Sequence, residues 1–196
     1  MFKNRLEAFT DGVLAIIITI MVLELKVPHG GDFESLKPLL PVFSSYVLSF
    51  IYLAIYWNNH HHMMQTVNHV TGRILWANMH LLFWLSLIPF VTGWMGENHF
   101  TSATVFLYGV VLLGSAIAYF ILQKLIINNH GKDSILAKAL GKDYKGKVSP
   151  VLYVLGIIFA FINVGISGAI FILVAIIWLI PDMRIEKAIK QEKLKK

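Results

Sequence analysis

No cysteine occurs in the 196 residues, so the chain can form no disulfide and offers no thiol as nucleophile or metal ligand. Charge is scarce too. Asp, Glu, Lys and Arg together make up 14% of the sequence, where soluble domains carry about 25%. With 57% hydrophobic residues and a mean hydropathy of +0.67, there is too little polar surface to cover a compact globule in water. The chain reads as an integral membrane protein. It contains no GxSxG, P-loop, HExxH or CxxC and no paired acidic motif on an apolar face. The common hydrolase, nucleotide-binding and zinc-peptidase readings therefore have no support, and the chain is not expected to be an enzyme. The TVGYG filter of ordinary potassium channels is missing as well. No small-residue cleavage site follows the first apolar run, which reads as a retained helix rather than a secretory leader.

What the sequence does have is long apolar runs. A helix needs roughly 20 residues to cross the hydrocarbon core. Six runs are candidates: 6–25, 36–57, 74–95, 103–127, 148–162 and 167–180. The last two come from splitting 148–180 at Asn163, Gly165, Ser167 and Gly168. Pro38 and Pro41 fall in the first turns of the second run, and Pro89 is predicted to kink the third. With both termini inside, 15 of the 17 Lys and Arg residues fall in cytoplasmic segments, leaving only Lys26 and Lys37 outside. The expectation is one all-α unit over residues 1–196, with six transmembrane helices and cytoplasmic N- and C-termini. Residues 124–149 would form a short amphipathic or irregular cytoplasmic segment, and the basic tail from Arg184 would meet anionic headgroups. The net charge of +6 is then a matter of orientation in a lipid bilayer and implies no nucleic-acid partner.

The first run carries the most informative pattern. At 100° per residue, Ile16, Ile20 and Leu23 share one stripe with Thr19 at its edge, and Asp11 points about 140° away from Ile16. A carboxylate in a membrane helix needs partners or water. Candidates are Arg5, His60 to His62, Asn78, His80 and Trp84. Arg5 projects near the Ile16 stripe, and a cation there is expected to be paired. The stripe itself either lines a pore or packs against lipid or another helix. Three consecutive imidazoles, His60 to His62, suggest a metal or a pH sensor. Their spacing argues against a metal, because helical ligand pairs sit at i, i+3 or i+4. Within the third run, Asn78, His80, Trp84 and Ser86 place hydrogen-bonding groups inside an apolar helix. His80 serves either as a donor to a neighbouring helix or as a proton relay with Asp11.

Arg5, Phe9, Thr10, Asp11 and Gly12 spell RxxxF-T-D-G ahead of VLAIIITIMVLEL, the WNNHHH end follows in the second run, and N-x-H-L-L-F-W lies in the third. These features closely resemble the RxxxF(S/T)D signature and six-helix repeat of the lysosomal potassium channel family, in its single-repeat prokaryotic form. Thr10 stands where many members have Ser, which keeps the hydroxyl. The resemblance implies a potassium-selective channel in a prokaryotic cell membrane, assembled as a homotetramer, with no cofactor, no metal site and potassium ions as the permeant species. It implies that helix one lines the pore. Ile16, Ile20 and Leu23 would form an apolar constriction, and Thr19 would supply hydroxyls in place of a carbonyl filter. Arg5, Phe9, Thr10 and Asp11, with His80 and Trp84 as partners, would form a polar bracket that sets the rotation of helix one. Two other classes stay open at this stage. One is a proton-coupled transporter or proton-conducting channel using Asp11 and His80. The other is a membrane enzyme with a metal at His60 to His62.

Overall fold

A computed structural model of the chain describes residues 3–131, 133–141 and 143–179; the basic tail expected from Arg184 onward lies outside them. The described residues are helical throughout. Helix α1 is Lys3–Leu23, followed by a 3-10 segment Phe33–Leu39, α2 Leu40–Gln65, α3 Gly72–Ser86, α4 Ile88–Glu97, α5 Ser102–His130, α6 Ile135–Leu140, α7 Tyr144–Phe159 and α8 Val164–Leu179. Among the described residues, four stretches are long and apolar enough to cross a membrane: Lys3–Leu23, Phe33–Gln65, Gly72–Glu97 and Ser102–His130. Helices α7 and α8 have 16 residues each, about 24 Å at 1.5 Å per residue. That is short of the roughly 30 Å core unless the bilayer adapts.

Local chemistry explains where the elements differ from the hydropathy runs. The second run begins as a 3-10 segment, not an α-helix. Asp32 caps it, accepting from the Ser35 backbone N–H at 2.9 Å and from the Ser35 hydroxyl at 2.6 Å. Those two bonds hold the Asp32 carboxyl below its ordinary pKa. The α-helix proper starts at Leu40 with Pro41 in its first turn, where a missing N–H costs nothing. It runs to Gln65, two turns past the end of the apolar run, because its polar end is satisfied by protein partners. The third run breaks at Leu87. Pro89 cannot donate to the Leu85 carbonyl, and the chain restarts as α4 with Pro89 in its first turn. The last run divides as expected, but α8 starts at Val164. Asn163 Oδ1 accepts from the N–H groups of Gly165 and Ile166 at 2.9 and 3.2 Å and so fixes the helix start. Ser167 then donates to the Gly156 carbonyl at 2.7 Å, closing the α7–α8 hairpin.

The core lies where α5 packs against α3 and α7, α7 against α8, and α2 against α4. Helix α1 lies against α2, α3 and α4. Phe171 is the central side chain. Its ring sits within 5.9 Å of Tyr108 and 6.3 Å of Tyr153, and its carbonyl accepts the Tyr52 hydroxyl at 2.6 Å. The ring tip fills the space left by Gly109 on α5 and Gly156 on α7, where a Cβ would overlap it. Because the ring is walled in by tyrosines, it cannot move aside. Gly156→Ala is therefore expected to destabilise the fold by about 1–3 kcal/mol, the cost of overpacking a filled core. Thermal unfolding in detergent checks this, with the neighbouring Gly168→Ala, which meets nothing within 4 Å, as the tolerated control.

Candidate functional site

Helix α1 has two faces. Leu6, Thr10, Leu14, Ile17 and Met21 are buried against the rest of the chain. Ile16, Ile20 and Leu23 point the other way, 59%, 42% and 79% exposed, and Thr19 lies among them. An apolar stripe left uncovered on one copy must meet lipid or other copies. The Thr19 hydroxyl lies 2.8 Å from the Ile16 carbonyl and 3.0 Å from the Ala15 carbonyl. Its single proton is therefore turned back into the helix, and its oxygen lone pairs face outward. Beside the stripe, an open groove of about 600 Å³ runs between α1 and α4, from Val13 to Glu24 on one wall and from Ser86 to Glu97 on the other. At its Glu24–Glu97 end the Lys26 ammonium donates to Glu97 at 2.6 Å. This bond raises the Lys26 pKa above the ordinary lysine value.

The N-terminal half of α1 is held by hydrogen bonds. Thr10, 1% exposed, accepts from the Asn78 side-chain amide at 2.9 Å. The other end of that amide, its carbonyl oxygen, lies 2.8 Å from His60 Nε2. A carbonyl only accepts, so His60 carries its proton on Nε2. The chain Thr10–Asn78–His60 thus ties α1 to α3 and α2 through three buried side chains. One residue on, Asp11 Oδ1 accepts from the Trp57 indole N–H at 3.0 Å.

Several expected pairings are replaced. Asp11 is exposed rather than buried, and its partner is Trp57, which none of the sequence candidates included. Asn78 belongs to Thr10, not Asp11. Trp84 donates to His80 at 3.0 Å, one helical turn away, so the two bond each other rather than the signature residues. Trp84 packs instead against Gly114 of α5, where a Cβ would overlap its indole. Arg5 is exposed and forms no ion pair among the described residues, and Phe9 is 51% exposed. The reason is rotational. Thr10 faces inward, so Arg5 and Phe9 turn outward with the Ile16 side of the helix. No hydrogen bond joins Asp11 to His80 among the described residues, and each has a different partner.

The three imidazoles diverge, as neighbours on a helix must. His60 turns inward to Asn78, His61 stacks on Trp57 at 6.0 Å and bonds Gln65 at 2.9 Å, and His62 lies edge-on to His61. Among the described residues no group of three or more His, Cys, Asp or Glu is placed to hold a metal.

The chain is similar to known proteins along most of its length. Residues 5–89, which carry α1 and its Thr10, Asn78, His60 and Trp57 contacts, match the family described as endosomal/lysosomal potassium channel TMEM175. The chain is 57% identical over 191 residues to a protein from Chryseobacterium sp. (strain P1-3) named as a potassium channel, covering 97% of this chain and all of that one. It is 30% identical over 188 residues to a Chamaesiphon minutus protein named as a potassium channel, covering 87% of this chain and 90% of the other. The fold superimposes on a crystal structure described as a lysosomal potassium-selective channel TMEM175 homolog from Chamaesiphon minutus. The TM-score is 0.80 at 28% identity, over 92% of this chain and 97% of that one.

Proposed function

This chain belongs to the TMEM175 potassium-channel family, and from that premise we propose that it is one subunit of a passive potassium channel in a prokaryotic cell membrane. No cofactor enters this reading. Residues 1–196 act as one unit of six membrane crossings, with α7 and α8 as the two short ones and both termini in the cytoplasm. Four copies place their α1 helices around a common axis. Ile16, Ile20 and Leu23 then form stacked apolar rings, with Thr19 between them. The observation that carries the reading is the two-faced α1. It is fixed on one side by buried residues and the Thr10 anchor, and it presents an uncovered Ile/Leu stripe on the other.

The physics of such a neck follows from its side chains. A narrow apolar ring holds no water, so ions pass only when it widens or when they shed part of their hydration. Larger monovalent cations give up water more readily, which favours potassium over sodium. The Thr19 oxygens, with lone pairs outward, replace part of the lost water. Glu24 sits beyond Leu23 and raises the local concentration of cations at the outer mouth. Within this reading, Thr19→Val keeps the shape and removes the oxygen. It is expected to lower the potassium-over-sodium flux ratio in proteoliposomes by roughly threefold to tenfold, the scale of one lost polar contact to an ion. Wild-type liposomes that pass neither ion would overturn the channel assignment itself. A monomer by native mass spectrometry in mild detergent would overturn the four-fold assembly.

A further inference from the structure

At the end of α5, the His130 ring makes a set of contacts that fixes its chemistry. Nδ1 lies 2.9 Å from the Ile126 carbonyl, which can only accept, so Nδ1 carries a proton. Nε2 faces two backbone N–H groups, those of Asn68 at 3.0 Å and His69 at 3.3 Å. Both are donors, so Nε2 must offer its lone pair. The ring is therefore neutral with the proton on Nδ1, and it clamps the turn between α2 and α3 from 61 and 62 positions away in sequence. Asn129 adds a long contact of 3.5 Å from its amide to the His69 carbonyl. The ring is only partly buried, so protons reach it.

We propose that His130 is an acid sensor that clamps the α2–α3 turn when neutral and releases it when protonated. A proton on Nε2 removes the lone pair and sets an N–H against two N–H donors. Imidazole ordinarily changes charge between about pH 5 and 8. The sign is fixed by the bonding: the clamp is present at high pH and lost as pH falls. The titratable and charged groups on the segments that meet here are His61 and His62 at the end of α2, His69 and Arg73 on the turn and α3, Lys124 on α5, and Asp133 and Lys138 beyond it. None of them forms an ion pair with His130 among the described residues. The turn matters because it joins the two helices that hold Thr10. His60 lies on α2 and Asn78 on α3, so the turn connects the two helices whose side chains bond each other and, through Asn78, Thr10. That the sensor faces the cytoplasm rests on the orientation proposed above; its titration does not.

Nitrogen-15 NMR of histidine-labelled wild-type protein reads the tautomer directly. The expected result is an unprotonated Nε2 on His130 at about pH 8 and a protonated one at about pH 5.5. An Nε2 proton at pH 8 overturns the clamp. Amide exchange at Asn68 and His69, compared at equal pH with His130→Gln, reads the release. Wild-type protection should fall roughly tenfold or more relative to the variant between those two pH values. Equal pH dependence in both proteins overturns the sensor. If the variant does not fold, the NMR titration of the wild type and its own exchange profile still decide. In proteoliposomes, the dependence of potassium flux on internal pH should differ by twofold or more between wild type and His130→Gln. Identical dependence overturns the link to conduction while leaving the channel assignment to the tests above.

Discussion

Ile16→Asn is expected to raise resting potassium flux by roughly tenfold and to flatten the preference over sodium, because an amide ring holds the water that an isoleucine ring expels. Ile16 is the first stripe residue from the N-terminal end of α1, and its side chain is largely uncovered within its own chain, being 59% exposed. The substitution therefore leaves the subunit's core intact, and a change in flux reports on the neck rather than on folding. Potassium- and sodium-loaded liposomes measure it. Ile17→Asn, one residue away on the buried face, should instead reduce the yield of folded protein. If the Ile16 variant conducts and discriminates like wild type, helix α1 does not place Ile16 at the constriction.

The second large effect falls on stability. Asn78→Leu preserves bulk but removes both hydrogen bonds at the centre of the Thr10–Asn78–His60 chain. It leaves the His60 Nε2 proton without an acceptor and Thr10 without its donor, and both side chains are nearly inaccessible to water. Each orphaned buried group costs about 1–3 kcal/mol. Inter-helix bonds inside membranes fall toward the low end of that range. A total loss of about 2–4 kcal/mol is therefore expected, seen as a lowered unfolding temperature in detergent. Trp57→Phe, which removes only the donor to the exposed Asp11, should cost clearly less. Equal losses in the two variants would mean that the buried chain is not the main anchor of α1.

The stripe on α1 was legible because period and polarity are local properties. Ile16, Ile20 and Leu23 share a face on any regular helix, and the buried set Leu6, Thr10, Leu14, Ile17 and Met21 is the complementary face of the same wheel. Membrane character, the break at Pro89 and the split near Asn163 were legible for the same reason. The partners of the signature were not. Whether Asp11 meets His80 or Trp57 depends on how α2 and α3 are rotated and raised relative to α1. That is decided by packing such as Trp84 against Gly114, 30 positions apart. Trp57, the last residue of the apolar run, is not marked locally as a partner for Asp11, because its reach across to α1 depends on how α2 is rotated. The His130 clamp leaves no trace in any periodicity, since an imidazole accepting backbone N–H groups looks in sequence like any other polar helix end.

The groove between α1 and α4 gives helix α1 an uneven mechanical mounting. Its N-terminal half is tied by the buried Thr10–Asn78 hydrogen bond, while just past its C-terminal end Lys26 meets α4 through a water-exposed ion pair. The Lys26–Glu97 pair acts as a soft spring on the loop that follows the helix. Burial of Ile17 and Met21 still seats the helix along its length, and Leu23, about 10 Å beyond Ile16 at 1.5 Å per residue, is the stripe residue nearest the softer mounting. The spring also weakens as dissolved salt screens the Lys26–Glu97 attraction. Within the proposed pore, the ionic strength at that end would thus set how firmly the C-terminal end of α1 is held.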